Sequence, residues 1–255
     1  MRKSKYMLLG SMALALGASC DKSSSDEFDE VNQNAKVKLI SSVSLASAQD
    51  TNENEKVNFS YDDKLRLSSI NTGADSSEFV YDEQGLTDVT GDEAEDNFDV
   101  EALYKSPYDA FESGDVVEYD DNKNPSKILF FEEAYDYESG EVLNMQYSAE
   151  LTYEDTPSVY FHTLKAAGVI DVLDKVRLNF AMEPQAQEIL KARTLLPNNN
   201  ISKITYKDEE GAVMFEITTA YTYDADDYPT QVKVTSKSFE DTQESETFTM
   251  NYTYL

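Results

Sequence analysis

From residue 59 to the C-terminus the chain repeats one arrangement of apolar and polar positions. Two aromatic or aliphatic side chains stand two apart, an acid follows, a short polar stretch intervenes, and an aliphatic alternation resumes. The clearest copy is residues 220–234, A-Y-T-Y-D-A-D-D-Y-P-T-Q-V-K-V. In an extended chain Tyr221 and Tyr223 point to one face, and Val232 and Val234 repeat that spacing after the turn. Asp224, Asp226 and Asp227 can hydrogen-bond their own backbone, and Pro229 suits the first residue of a strand, where no ladder N–H is needed. The pattern predicts a β-hairpin.

Other copies follow the same rule. Phe59, Tyr61 and Asp62 run to Leu65, Leu67 and Ile70; Phe79, Tyr81 and Asp82 run through Gly85 to Leu86 and Val89; Val117, Tyr119 and Asp120 run through Pro125 to Ile128. Looser copies centre on Tyr135 and Tyr137, Leu151 and Tyr153, and Ile204 and Tyr206, and a last strand carries Met250, Tyr252 and Tyr254. The intervals from Tyr61 to Tyr81, Tyr119 to Tyr137, Tyr137 to Tyr153 and Tyr206 to Tyr223 each accommodate one hairpin, which predicts an antiparallel meander built from tandem units. The first strand is expected over residues 36–45, with Val37, Leu39 and Val43 inward. Residues 91–101, rich in acids that include Asp92, Glu93, Glu95 and Asp96, read as a solvated loop, with a cation site as the alternative.

Between residues 158 and 195 the period changes. Val169, Leu173, Val176 and Phe180 fall at helical intervals. Pro157 and Ser158 mark a start, Gly168 a break, Pro184 a new first turn and Pro197 a stop, so two or three short helices are expected over residues 158–196. Asn198, Asn199 and Asn200 would turn the chain back into a strand, since asparagine tolerates left-handed backbone. The fold class expected is therefore mainly β (α+β), with a helical insertion at 157–197 packed on the sheet; a lid over a ligand site is the functional alternative for that insertion.

The N-terminus changes the picture of where the protein resides. Residues 1–19 combine Arg2, Lys3 and Lys5 with an apolar run from 6 to 16 and the small residues Gly17, Ala18 and Ser19, the layout of a secretory signal peptide. Cys20, the single cysteine, follows at once. This placement resembles the bacterial lipobox, whose cysteine is acylated and becomes the new N-terminus. Leu16 lies one place early and Gly17 takes its usual position. An ordinary cleaved signal with an incidental cysteine is the alternative. Lipid chains bury ~0.8 kcal/mol per methylene, so multiple acylation anchors firmly. Residues 20–35 are polar and acidic without an apolar period and read as a flexible tether, leaving residues 36–255 as one β domain. The acids just after Cys20 resemble signals that carry some Gram-negative lipoproteins to the outer face of the outer membrane, so cell-surface display is expected over the periplasmic face.

Charge and chemistry mostly exclude. The chain holds 21 basic against 50 acidic residues, a net charge of −29, and a field of that sign repels nucleic acid. His162 is the single histidine; with no second histidine or free thiol to join it, nucleophilic triads and His-ligated transition-metal sites are out of reach. It reads as a partly buried residue of the first helix. Residues 120–124 open like a calcium loop, but Pro125 takes the glycine position and Phe131 the terminal glutamate position. Asp224, Asp226 and Asp227 are the remaining candidates for a metal, with a plain turn as the alternative. Carboxylate pairs are too abundant to locate a glycosidase-like acid and nucleophile.

Taken together, the lipobox, the Tyr-acid hairpins, the helical insertion, the link L-L-P-N-N-N-I-S-K-I-T-Y at 195–206 and the hairpin at 220–232 resemble a family of secreted Gram-negative lipoproteins of unknown function, whose repeats are similar to the YD repeats of RHS proteins. The resemblance spans nearly the whole mature chain. It implies an antiparallel sheet with helices packed against it and no known activity; the chain departs from it in lacking glycine in most turns. The expected role is a lipid-anchored binding or scaffolding module, not an enzyme, with no cofactor and with a glycan or protein as ligand. A structural component of an outer-membrane assembly and a carboxylate-based hydrolase are the alternatives.

Overall fold

The computed structural model describes residues 22–73, 75–91, 110–136, 140–175, 187–239 and 245–255. Its strands are β1 (Ile40–Ser47), β2 (Glu55–Tyr61), β3 (Leu67–Asn71), β4 (Ser76–Asp82), β5 (Gly85–Gly91), β6 (Asp115–Tyr119), β7 (Pro125–Asp136), β8 (Glu141–Pro157), β9 (Asn199–Lys207), β10 (Val213–Tyr223), β11 (Pro229–Ser238) and β12 (Ser245–Tyr254). The helices are α1 (Ser24–Val31), α2 (Ala110–Ser113), α3 (Phe161–Ala166), α4 (Val169–Lys175) and α5 (Gln187–Leu195), with a single 3-10 turn at Thr51–Glu53. The mainly antiparallel β class is as expected. All twelve strands form one sheet ordered β5-β4-β3-β2-β1-β12-β11-β10-β9-β8-β7-β6. It is two meanders joined by the antiparallel pairing of β1 with β12, so the first and last strands lie side by side in the middle.

Period-two alternation sets the buried face. On β8, Tyr147, Ala149 and Leu151 are buried; β9 adds Ile204 and Tyr206, β10 Ile217, β11 Val232 and Val234, and β12 Met250 and Tyr252. Tyr221 pairs with Val232 and Thr219 with Val234, so the hairpin's apolar positions share one face. Two expectations at strand starts fail. Val37 is 73% exposed and precedes β1, whose buried residues are Ile40 and Val43. Leu65 belongs to a turn, not a strand, and is 59% exposed.

In four of the turns an aspartate is the turn former. Asp62, Asp120, Asp208 and Asp224 each accept at their backbone carbonyl from the amide three residues on and donate their own amide to the carbonyl four residues on. Each carboxylate Oδ1 also accepts amides within the loop: Lys64 and Arg66 on Asp62, Asn124 on Asp120, Glu210 and Ala212 on Asp208, Asp226 and Tyr228 on Asp224. The fourth position is left-handed in all four, at φ 59 in Leu65, 65 in Lys123, 85 in Gly211 and 61 in Asp227. This is the three-residue hairpin loop, a type I turn closed by a left-handed residue. The missing glycines therefore do not change the turn; the aspartate hydrogen bonds hold a non-glycine residue where it costs about 1–2 kcal/mol.

The tyrosines lock strand ends. The hydroxyls of Tyr61, Tyr81, Tyr153, Tyr221 and Tyr254 donate to the carbonyls of Ile40, Leu67, Pro125, Ile201 and Pro229, at 2.6–2.7 Å. In each case a residue near the end of an even-numbered strand reaches a residue near the start of the odd-numbered strand beside it. All five clasps lie at one end of the sheet, the end that also carries the turns after β2, β4, β6 and β10. At that end the helical insertion takes the place of a turn between β8 and β9.

The helices span that end. Gly168, at φ +77, separates α3 from α4, and α5 stops before Pro197. Tyr81, next to edge strand β5, also donates to the carbonyl of Ala167 at 3.2 Å, and Tyr119 on the other edge strand, β6, donates to that of Thr194 in α5 at 3.2 Å. Ile170 and Leu173 of α4 are buried, whereas Val176, Phe180 and Pro184 lie outside the described residues. The asparagines act differently from the expectation. None of Asn198, Asn199 and Asn200 is left-handed; all three are buried and spend their side chains on neighbouring polar groups.

Candidate functional site

The clasped end gathers most of the polar side chains singled out in the sequence. In the turn after β10, Asp224 pairs with Lys38, and Asp226 with both Lys36 and Lys38. Lys36 and Lys38 come from the segment leading into β1, so the ion pairs pin the chain entry to a loop nearly two hundred residues away. The hydrogen bond from Lys36, then that from Lys38, holds Asp226 below the usual carboxylate range. Burial pushes Asp224 upward, but Lys38 and the amides of Asp226 and Tyr228 outweigh it and its pKa is lowered. Lys38 also sits 5.8 and 5.5 Å from the ring centres of Tyr228 and Tyr254. The carboxylates named as metal candidates thus serve lysines, and Asp227 supplies a left-handed turn position. Among the described residues no group of three His, Cys, Asp or Glu side chains is placed to hold a metal. Cys20 and the acids Asp92, Glu93, Glu95 and Asp96 lie outside the described residues.

Residues 24–31, expected within a flexible tether, are instead helix α1. Ser23 and Asp26 form a reciprocal capping box at its start. Phe28 is fully buried and stacks on Phe161 with ring centres 3.7 Å apart, in a small core with Ile170 and Leu173. The Ser24 amide donates to Asp174 of α4 at 2.6 Å, and Arg193 of α5 donates to the Lys22 carbonyl at 2.8 Å. An acidic, polar composition hid a single aromatic anchor; the S-x-x-D spacing of Ser23 and Asp26 followed by Phe28 was the legible signal.

Two polar clusters complete this end. Asn124, fully buried, accepts the amides of Asn198 and Asn199 on Oδ1 at 2.8 and 3.0 Å, and its Nδ2 donates to Asp120 and Asn199. Asn32, just after α1, donates to the Asn198 carbonyl at 3.0 Å. Asn200 accepts from the Val159 amide and donates to Pro157. His162 is 8% exposed on α3, edge-on to Phe28 and 6.2 Å from Tyr228, ring centre to ring centre. Its Nε2 and the Tyr228 hydroxyl are buried without a hydrogen-bond partner among the described residues. Burial, then the charge of Lys165, pushes the His162 pKa down, with Asp29 opposing.

The opposite end is built differently. β6 pairs with β7 only through Leu129, and β8 pairs with β9 only from Ser148 onward. Residues 130–136 and 141–147 pair with each other as a ribbon that runs past these stretches of β6 and β9. Its outer face carries Phe131, 60% exposed, and Val142, 59% exposed. At the ribbon's base, against the turn at 208–211, lies an open groove of about 280 Å³ lined by Lys127, Leu129, Gln146, Ser148, Glu150 and Lys207 among others. Lys207 pairs with Glu150 along its floor. Phe131 stood out in the sequence only as the wrong residue for a calcium loop and Tyr135 only as part of a repeat, because an exposed apolar position in an alternating strand looks the same as a buried one.

No protein-family profile matches the chain, and no curated protein matches it in sequence. Among solved structures, a porin-like protein from Bacteroides uniformis is similar over 85% of this chain and 98% of its own, at 10% identity and a TM-score of 0.32. A porin-like protein from Bacteroides vulgatus is similar over 86% and 99%, at 11% identity and a TM-score of 0.29. A domain assigned to outer membrane lipoprotein sorting in Vibrio parahaemolyticus is similar over 90% and 88%, at 11% identity and a TM-score of 0.25. Scores this low carry no argument about the site.

Proposed function

We propose that the protein is a cell-envelope binding module, anchored by lipid at Cys20 to the outer membrane and displayed at the cell surface, that takes a peptide or glycan partner on the β7–β8 ribbon and the groove at its base. The observation that carries the binding mode is the outward placement of Phe131 and Val142 on one face of the β7–β8 ribbon. Exposed apolar side chains grouped on one face mark a surface that a partner covers. The groove adds a lysine and a carboxylate whose pairing a polar ligand can exchange. The anchor rests on the leader and Cys20, and the surface address on the acids that follow.

Two experiments test the parts separately. Cys20→Ser should move the protein from the membrane to the soluble fraction; retention in the membrane would remove the anchor. Envelope components captured by the wild-type chain should be lost with Phe131→Asp combined with Val142→Asp, and capture at unchanged yield would remove the ribbon as the binding surface.

A further inference from the structure

The docking of α1 fixes more than a local contact. If Cys20 carries the lipid, as the proposed function holds, the folded body begins at Ser23, the N-cap of α1. Three residues reach at most ~11 Å. A flexible tether through residue 35 would instead allow a spread of ~20 Å or more and free rotation. α1 is held to the body by the Phe28 stack, by Asp174, by Asn198 through Asn32, and by Arg193 on the Lys22 carbonyl. All of these partners belong to the helical insertion and the link after it, at the clasped end of the sheet.

We infer that the clasped end, through the start of α1 and the neighbouring faces of α4 and α5, is a membrane-apposed surface that rests against the lipid headgroups. The ribbon and groove then point away from the bilayer, because they lie past the other end of strands whose ten residues span ~33 Å. Charge does not drive this contact, since α1 sets Asp26, Glu27, Asp29 and Glu30 against Lys22 and Arg193; the short linkage imposes it. The orientation rests on the lipid-anchor reading but makes a claim of its own, that the linkage is too short for the body to turn over.

The chain has no tryptophan, so one introduced residue reports its own position. The full-length lipidated protein would be reconstituted in vesicles bearing dansyl-labelled headgroups, with Asp171→Trp on α4 or Glu210→Trp in the turn beside the groove; both native side chains are exposed. Energy transfer to the headgroups should be several-fold stronger from position 171. An insertion of about twenty Gly and Ser residues between Asp21 and Lys22, which keeps the contacts of Lys22 and Ser23 with the body, should bring the two positions together; Phe28→Asp, which undocks α1, should act in the same direction. Equal or reversed transfer with the protein in the vesicle fraction would overturn the orientation and leave the anchor standing. A difference that survives the insertion would equally overturn the short linkage as its cause. Absence of the protein from the vesicles would overturn the anchor and the orientation with it.

Discussion

The two ends of the sheet use the same residue types for opposite purposes. At the clasped end Phe28 is fully buried, five tyrosine hydroxyls close strand ends, and the asparagine amides of positions 124 and 198–200 are spent on hydrogen bonds within the fold. At the ribbon end Phe131 and Val142 face solvent, and Lys207 and Glu150 pair along an open groove. Polarity therefore does not mark function in this molecule. At the clasped end the buried asparagines and the tyrosine hydroxyls are internal fasteners, while the proposed partner surface rests on the exposed apolar pair of the ribbon.

The largest expected contrast is between two phenylalanines. Phe28→Ala should cost about 3–5 kcal/mol in urea unfolding, since it empties the small core under α1, whereas Phe131→Ala should lie within about 0.5 kcal/mol of wild type. Comparable costs at both sites would erase the distinction between the ends. Next comes the asparagine hub: Asn124→Ala should cost about 2–3 kcal/mol, because the amides of Asn198 and Asn199 lose their buried acceptor. A value under ~1 kcal/mol would show that the cluster is replaceable.

Single hydroxyls should matter less. Tyr221→Phe removes the clasp to Ile201 and should cost about 1 kcal/mol by the same measurement. The turns sharpen the comparison in both directions. Leu65→Gly should stabilise by about 0.5–1 kcal/mol, as relief of a left-handed leucine exceeds the entropy cost of glycine. Gly211→Ala should destabilise by about 1 kcal/mol, although its Cβ would meet nothing within 4 Å. Effects of one sign in both turns would contradict the shared loop geometry.

The smallest effect concerns pH. Burial lowers the folded-state pKa of His162 below its ordinary 6.5, so as pH falls the unfolded chain binds a proton first. Its contribution is fully present above 6.5 and is lost as pH drops from 6.5 to the folded value. His162→Phe should flatten thermal stability across that window and leave it nearly unchanged at pH 8, since Nε2 has no partner to lose among the described residues. An unaltered pH profile in the variant would place the titration elsewhere.

What could be read from the sequence follows from range. Alternation and turn chemistry are local, so the hairpin of β10 and β11, the break at Gly168 and the stop before Pro197 were legible in a few residues each. The pairing of β1 with β12 joins residues about two hundred apart, and nothing in either strand names its partner. The tyrosines of the units were legible as a repeat, whereas burial varies among them, from Tyr206 at 1% to Tyr119 at 48% exposed, and each hydroxyl's acceptor depends on the neighbouring strand. α1 was hidden because one phenylalanine among serines and acids is too little apolar surface for a period. Asp224 and Asp226 stood in the sequence as candidate ligands, and the lysines that pair with them, Lys36 and Lys38, lie too far away in the chain to be read there.

That the folded body begins at Ser23 is the claim on which the proposed anchor geometry, the inferred orientation and the contrast between the ends all depend. Amide hydrogen exchange of the chain from Cys20 onward measures it directly. The amides of Glu27, Asn32 and Ala35, which donate to Ser23, Phe28 and Asn32, should be protected well above random-coil rates in the wild type and should lose that protection in Phe28→Asp, while Tyr206 and Ile217 in the sheet stay protected. Random-coil exchange at residues 24–31 of the wild-type chain would contradict the account.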